Sequence, residues 1–181
     1  MSIDWQLGDA EKLSFAGVYF DAAASTFGIM FASNLEAAVR ELARIVRPGG
    51  RIAIATWLPD STAVKLRQVI APFMPPAPQQ ASPPPSPFNW GDPKWLGDTL
   101  GQHFELSHEN GELTHRASSS DEVWRVYEEG FGPFRATAQA LDTERRSELR
   151  SSFENWLEDG FSTGLGIALT YQYLVTIGTR K

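Results

Sequence analysis

Runs of apolar and polar positions divide this chain into elements. Residues 3–8 read as a short strand, and Asp9 to Gly17 as a loop with one helical turn. Tyr19 to Ser25 predicts a second strand. Its Ala22, Ala23 and Ala24 show no polar alternation, as expected for a strand covered on both faces. Ser33-Asn34-Leu35-Glu36 has the form of a capping box, in which Ser33 accepts from a free backbone N–H and Glu36 reaches back. Behind it Leu35, Val39, Leu42 and Val46, with Ala38 and Ile45, recur at helical spacing. Pro48-Gly49-Gly50 is expected to stop that helix, glycine taking the left-handed cap and proline refusing the next turn. Ile52, Ala53, Ile54 and Ala55 are apolar on both faces, which predicts a central strand. A helix joining two parallel strands crosses over right-handed.

The rest alternates in type. Ala63 to Phe73 predicts a helix. Nine of the twelve prolines then fall between Pro72 and Pro93, so Pro75 to Pro87 reads as an extended linker rather than a ligand for a partner domain. Asp92 caps and Pro93 opens a short helix ending near Gly101. Phe104 to Ala117 is strand-like, and Asn110-Gly111 in its middle suits either a hairpin turn or a bulge in one long strand. Ser120 to Gly130 and Thr143 to Asp159 predict helices, the latter with a core stripe of Leu149, Phe153, Trp156 and Leu157. Ala168 to Thr179 predicts a closing strand with Ile167, Leu169, Tyr171, Tyr173, Val175 and Ile177 on one face. No internal repeat is visible. The first 57 residues, strand, strand, helix and strand with short joints, read as the second half of a doubly wound α/β domain. The glycine-rich turn of a first half is not in the sequence.

Composition narrows the function classes. The chain has 181 residues and 42% hydrophobic content, enough for one domain with a real core and a small helical appendage. The net charge of −6 and the lack of a basic stripe do not suggest a nucleic-acid binder. Residues 101–181 carry 13 acids against 8 bases, interleaved with aromatics, which reads as a solvated helical face. There is no cysteine, so disulfides and thiolate chemistry are excluded, and a cytoplasmic location is compatible. Met1-Ser2-Ile3-Asp4-Trp5 is not a signal peptide, and no apolar run approaches the roughly 20 residues of a membrane helix.

Two loops carry candidate chemistry. Gly8-Asp9-Ala10-Glu11 follows a strand's carboxyl end, where ligands of open α/β sheets sit. A carboxylate there can accept hydrogen bonds from a nucleoside; an acidic helix cap explains Asp9 as well. Ser25-Thr26-Phe27-Gly28 leaves the next strand at the same edge and could take a small polar ligand with an apolar part, or be a simple turn with a packed ring. Gly160-Phe161-Ser162-Thr163-Gly164 matches the nucleophile-elbow pattern, but a helix precedes it, a strand follows it, and no histidine lies beyond His115. His103, His108 and His115 are spaced by five and seven, so no two neighbours share a strand face, and no metal site is expected.

The run from Gly8-Asp9-Ala10-Glu11 through Phe15, Phe20-Asp21, Ser25-Thr26-Phe27-Gly28-Ile29-Met30-Phe31 and Leu42-Ala43-Arg44-Ile45-Val46-Arg47-Pro48-Gly49-Gly50 resembles class I S-adenosylmethionine-dependent methyltransferases. It is most similar to the methyltransferase type 11 and ubiquinone/menaquinone-biosynthesis group. Trp90-Gly91, Tyr127 to Phe134, Leu141-Asp142 and Tyr173-Leu174-Val175 extend the likeness over nearly the whole chain.

The resemblance implies a truncated Rossmann-like fold. In the family's strand order 3-2-1-4-5-7-6, this chain would keep 4-5-7-6 with an antiparallel last strand, a displaced strand three at residues 3–8, and a helical cover. Residues 1–181 would be the C-terminal portion of one methyltransferase domain. Residues 1–57 would be core strands and helix, 58–101 helices and the Pro-rich loop, and 102–181 the C-terminal strands and helical cover on the acceptor side. The cofactor would be S-adenosyl-L-methionine. Asp9 (side chain) and Ala10 (backbone) would meet adenine with Glu11 beside them, while Ser25, Thr26 and Phe27 would flank the methionine part or the methyl-transfer mouth. The family's glycine-rich turn and ribose-binding acid are not in this sequence. The expectation is therefore a methyltransferase-family chain for a small-molecule acceptor, impaired by itself, with no catalytic residue named. The alternative is a non-catalytic chain that associates through a bare strand edge, with itself or with a complementing chain.

Overall fold

The computed structural model describes residues 3–75 and 85–181. The chain divides into two compact units, one of Met1–Pro59, Ser82–Gly111 and Gln172–Lys181, the other of Asp60–Ala81 and Glu112–Tyr171. Most of the stretch expected to be an extended linker, residues 76–84, lies outside the described residues.

The first unit is built on a strand–helix–strand. Strand β1 (Phe20–Thr26) is followed by a 3-10 turn (Ile29–Phe31), helix α1 (Leu35–Ile45) and strand β2 (Val46–Trp57). β1 and β2 are parallel, with Ala23 opposite Ile52 and Ser25 opposite Ile54. Ala38, Val39, Leu42 and Ile45 of α1 are buried as read from the spacing, and Ala43 with them; Leu35 is half-buried, and Val46, also buried, already belongs to β2. They pack with Ile52, Ile54, Trp90, Leu96, Leu100, Phe104 and Leu174 into one core. Each such large side chain removed from water stabilises the fold by about 1.5–3 kcal/mol.

Several expectations are corrected here. Residues 3–8 form no strand and are exposed throughout. β1 is not covered on both faces, because Ala22, Ala24 and Thr26 are exposed and β2 is its one partner among the described residues. The cap of α1 is Asn34, not Ser33: the Asn34 side chain accepts from the Ala37 N–H. Glu36 pairs instead with Arg40 (3.6 Å), and the Asn34 N–H donates to Glu11 Oε1 (2.8 Å). Pro48-Gly49-Gly50 does not cap α1 either. The helix passes straight into β2 at Val46, and Arg47 to Gly50 bulge out of the ladder between the Phe20–Val46 and Ala22–Arg51 pairs, with Gly49 left-handed (φ +74°). A proline without a donor and two glycines favour a bulge wherever the strand has already begun.

Helix α2 (Thr62–Ile70) continues into a 3-10 turn, Ala71–Phe73, as expected of a helix from 63 to 73. A second such turn, Pro87–Gly91, leads to α3 (Pro93–Leu100), capped by Asp92 Oδ1 on the Lys94 N–H. The turn is pinned to β2. Thr56 Oγ1 donates to the Trp90 carbonyl (2.7 Å), and a Cβ on Gly91 would lie 2.2 Å from the Trp57 carbonyl oxygen. Strand β3 (Phe104–Ala117) is continuous, so Asn110-Gly111 makes no hairpin. Gly111 makes room for a neighbour instead: a Cβ there would sit 2.4 Å from the Tyr173 ring, so the tyrosine would have to shift.

The second unit is helical. It holds α2, α4 (Ser120–Gly130), α5 (Gly132–Ala140), α6 (Thr143–Phe161) and the two-residue strand β4 (Ser162–Thr163). Leu149, Phe153 and Leu157 of α6 are buried, as the stripe predicts, while Trp156, read as part of it, is only half-buried. Trp124, Phe134 and Phe153 meet at ring separations of 4.9–6.0 Å. Helix α5 was not foreseen, although Pro133 in its first turn and buried Phe134, Thr137 and Ala138 carry its period. The hydroxyls of Tyr127 and Tyr171 touch inside this unit, and burial pushes both phenols above their usual range. The Gly160–Gly164 stretch has a helix before it and a strand after it, the reverse of an elbow.

Strand β5 (Gly166–Arg180) closes the chain, and the sheet order is β1-β2-β5-β3, with β4 also on β5. β5 runs antiparallel to β2, with Trp57 opposite Tyr173. This is the reduced α/β sheet with an antiparallel last strand. β5 does not keep one buried face: Ile167, Leu169 and Tyr171 are buried, and then Leu174, Thr176 and Gly178. The first set belongs to the second unit and the other to the first, so the parity changes where the chain leaves one core for the other.

Candidate functional site

All six residues singled out from the sequence lie in the first unit, Asp9 to Glu11 in a turn and Ser25 to Phe27 at the carboxyl end of β1. The chain from Asp9 to Tyr19 is laid along α1 by polar contacts. Glu11 Oε1 accepts from the Asn34 N–H at the helix's amino end. Further on, Glu41 Oε2 accepts from the Leu13 N–H (2.7 Å), and the Arg44 guanidinium donates to the carbonyls of Phe15 (2.7 Å) and Leu13 (3.1 Å). At its carboxyl end the helix accepts from the N–H groups of Val18 and Tyr19. The Arg44 guanidinium also pairs with Glu41 (2.7 Å) and holds its carboxyl below the usual range, partly offset by burial and helped by Leu13.

At the top of this strap, Asp9 Oδ1 accepts from the Glu11 N–H (2.9 Å) and the Asp9 carbonyl from the Lys12 N–H (3.0 Å). The turn is closed on itself, with Asp9 and Ala10 exposed and Glu11 half-buried. An acidic helix cap is therefore part of the picture, but Glu11 plays it, acting on Asn34, while the Asp9 carboxylate faces outward.

The other loop begins where β1 ends. Ser25 Oγ accepts from the Ile29 N–H (2.9 Å) and holds the 3-10 turn that leads to α1. Thr26 is exposed at the end of the strand. Phe27 is left-handed, φ +53°, which is uncommon for a bulky residue and stores strain. It is held there by its N–H on the Ala55 carbonyl (2.9 Å) and by its ring, stacked on Trp57 at 3.8 Å and 16°. Tyr173 meets the Phe27 ring edge-on at 6.0 Å. Trp57 ends β2, so an aromatic wall stands at the carboxyl ends of the two parallel strands.

The amino end of α1 follows the carboxyl end of β1 through this short loop, and Glu11 ties the Asp9 turn to it. The structure thus brings Asp9, Ala10 and Glu11 to the same end of the sheet as Ser25, Thr26 and Phe27. Reading the sequence alone missed Trp57, Tyr173, Asn34, Glu41 and Arg44. Trp57 had a signal, as the aromatic terminus of an apolar strand. The pairing of Tyr173 with it depends on antiparallel register. The histidines are dispersed: His108 Nδ1 lies 3.0 Å from Thr176 Oγ1, and His115 stacks near Tyr127. An open groove of about 740 Å³ between α1 and α3 has Arg40, Asp98 and His103 in its walls but none of the six residues.

The two loops and the strand ends beside them offer several kinds of group to a ligand. They are an outward carboxylate for amino or hydroxyl donors, a serine and a threonine hydroxyl, and aromatic faces suited to a positive centre. By sequence, residues 1–54 match the family model described as a methyltransferase domain. An uncharacterized protein of Mycobacterium tuberculosis is 32% identical over 135 residues, 74% of this chain and 48% of the relative. The chain thus spans about half the length of such curated relatives. A demethylmenaquinone methyltransferase of Mycolicibacterium paratuberculosis is 42% identical over 57 residues, 32% of this chain and 25% of that enzyme. Among solved structures, YcgJ of Bacillus subtilis aligns with a TM-score of 0.57 at 15% identity, over 97% of this chain and 70% of its own. A Bacillus halodurans protein assigned to the methyltransferases gives the same score and identity over 98% of this chain and 77% of its own. At such identity these structures speak for the fold. No helix among the described residues is long and apolar enough to cross a membrane.

Proposed function

We propose, from this chain's membership of the class I S-adenosylmethionine-dependent methyltransferase family, that it holds the cofactor at the carboxyl ends of β1 and β2 and serves methyl transfer to a small-molecule acceptor. The observation that carries this is the joining of the Asp9–Glu11 turn to the amino end of α1, at the same end of the sheet as the Phe27–Trp57 wall. In this reading the Asp9 carboxylate and the Ala10 backbone face the adenine. Glu11 acts through Asn34 and keeps the turn in place. Ser25 and Thr26 offer hydroxyls to the methionine part, and Phe27 presents its ring to the positive sulfur. When bound, S-adenosylmethionine supplies an electrophilic methyl group; the protein's share is to position it and exclude water. Proximity alone can supply about 7–11 kcal/mol of barrier lowering, so a site with few positioning contacts is slow. The 181-residue chain carries no G-x-G-x-G turn, and by itself it is expected to bind weakly and turn over little. The same reading places it in the cytoplasm.

The direct experiment is calorimetric titration with S-adenosylhomocysteine, the demethylated product. Binding is expected, weakened about tenfold by Asp9→Asn, the equivalent of about 1.4 kcal/mol for one charge-assisted contact. No heat at millimolar ligand, or unchanged affinity in Asp9→Asn, overturns the assignment.

A further inference from the structure

We propose, on the reading that Phe27 faces the sulfur, that Trp57 is a positioning residue of the cofactor site: it holds the Phe27 ring in place, and so lets the site prefer the charged cofactor to its neutral demethylated product. Phe27 takes the left-handed φ of +53°, while Gly28, the residue type that adopts such angles without steric cost, sits beside it at φ −104°. A chain that needed only a turn would exchange the two. Strain on a bulky residue persists where the surrounding contacts over-determine it.

Those contacts converge on Trp57. The Phe27 ring lies on the indole at 3.8 Å and 16°. The Phe27 N–H is tied to the Ala55 carbonyl, on the strand that Trp57 ends. The indole serves as a fixed bed because its own backbone is clamped. Thr56 before it holds the Trp90 carbonyl (2.7 Å), Leu58 after it donates to the Gln172 carbonyl (3.2 Å), and Gly91 packs against its carbonyl oxygen. Tyr173, opposite Trp57 in the β2–β5 ladder, meets the Phe27 ring edge-on. Phe27 cannot relax to an ordinary φ without leaving the indole, and the stack offsets strain of similar size. None of these contacts involves a ligand, so the ring stands in place before one arrives.

A ring fixed in this way discriminates by charge. S-adenosylmethionine carries a positive sulfur, and S-adenosylhomocysteine a neutral one. The negative face of an aromatic ring attracts the first and has no such hold on the second. Because the ring is already ordered, the preference costs nothing in side-chain freedom when the ligand binds. The result is a bias toward releasing spent cofactor in exchange for fresh.

Calorimetric titration of the 181-residue chain with each compound, without acceptor, tests this. The parent is expected to bind S-adenosylmethionine about fivefold more tightly than S-adenosylhomocysteine. Trp57→Leu is expected to abolish that ratio through loss of affinity for the charged compound, and Trp57→Phe, which keeps a flat face under Phe27, to restore it. A merely structural role would weaken both compounds together and leave the ratio as it was. Urea denaturation supplies a second readout that needs no ligand. Phe27→Gly is expected to lower the midpoint of the parent, where it removes the stack, and to raise that of Trp57→Leu, where the strain alone is left to relieve. Equal shifts in the two backgrounds, a ratio unchanged in Trp57→Leu, or a parent without preference overturns the proposal and leaves the cofactor site standing. A parent that binds neither compound overturns that site, and this role of Trp57 with it.

Discussion

Arg44 binds one carboxylate and two carbonyls at once, and the path of residues 11–19 depends on it. Its partner Glu41 has a depressed carboxyl pKa in the folded chain, caused first by the Arg44 hydrogen bond. The unfolded chain therefore takes up a proton more readily, and the contribution is present above the ordinary carboxylate range and lost as pH falls through the folded value. Glu41→Gln is expected to lower stability by about 1 kcal/mol at neutral pH, since water screens much of the pair. That corresponds to about 2–4 °C in Tm. Thermal melts from pH 7 down to pH 3 should show the two proteins converging in acid. Equal melting temperatures at pH 7 would show the strap to be held by other means. None of these partners is legible from residue order, because Glu41 meets Leu13 across 28 positions. The helical period places Glu41 and Arg44 on one turn, but not what they face.

At the scale of elements, the most demanding contact is the packing of the Pro87–Gly91 turn on the end of β2. Gly91 lies so close to the Trp57 carbonyl that a methyl group has no room, and overpacking of this kind costs about 1–3 kcal/mol. Gly91→Ala is expected to destabilise the chain by that amount in urea and to disturb Trp57, and with it the ring under Phe27. A denaturation midpoint equal to the parent's would refute the close approach. Elements with a strong period were legible: α1, β2, α6 and β5 stand close to where spacing puts them. Their junctions were not. The sequence Ser33 to Glu36 satisfies the capping rule, yet the cap falls on Asn34, whose own N–H is held by Glu11, far away in the chain. Asn110-Gly111 satisfies the hairpin rule, yet its glycine serves a tyrosine on a neighbouring strand. Local signals of this kind name what a residue can do, and tertiary neighbours select among the options.

The whole molecule was legible to the extent that the resemblance extended. The sheet with its antiparallel last strand and the gathering of the two candidate loops at one end both follow from family likeness. The division into two compact units does not, because the change of buried parity along β5 is invisible in an apolar run whose every position can be buried. Nor could periodicity tell that Ala22 and Ala24 face water, since a doubly covered strand and a bare one can share the same small residues.

Ile3, Trp5 and Leu7 stand out into solvent at 64%, 87% and 105% exposure. Groups bare to this degree make the chain's colloidal behaviour depend on the anion in the buffer. Salts such as sulfate, which are excluded from protein surfaces, strengthen apolar sticking. Turbidity is therefore expected to appear at lower ammonium sulfate for the parent than for a Trp5→Ser, Leu7→Ser variant. Identical precipitation curves would mean that these three side chains find cover of their own.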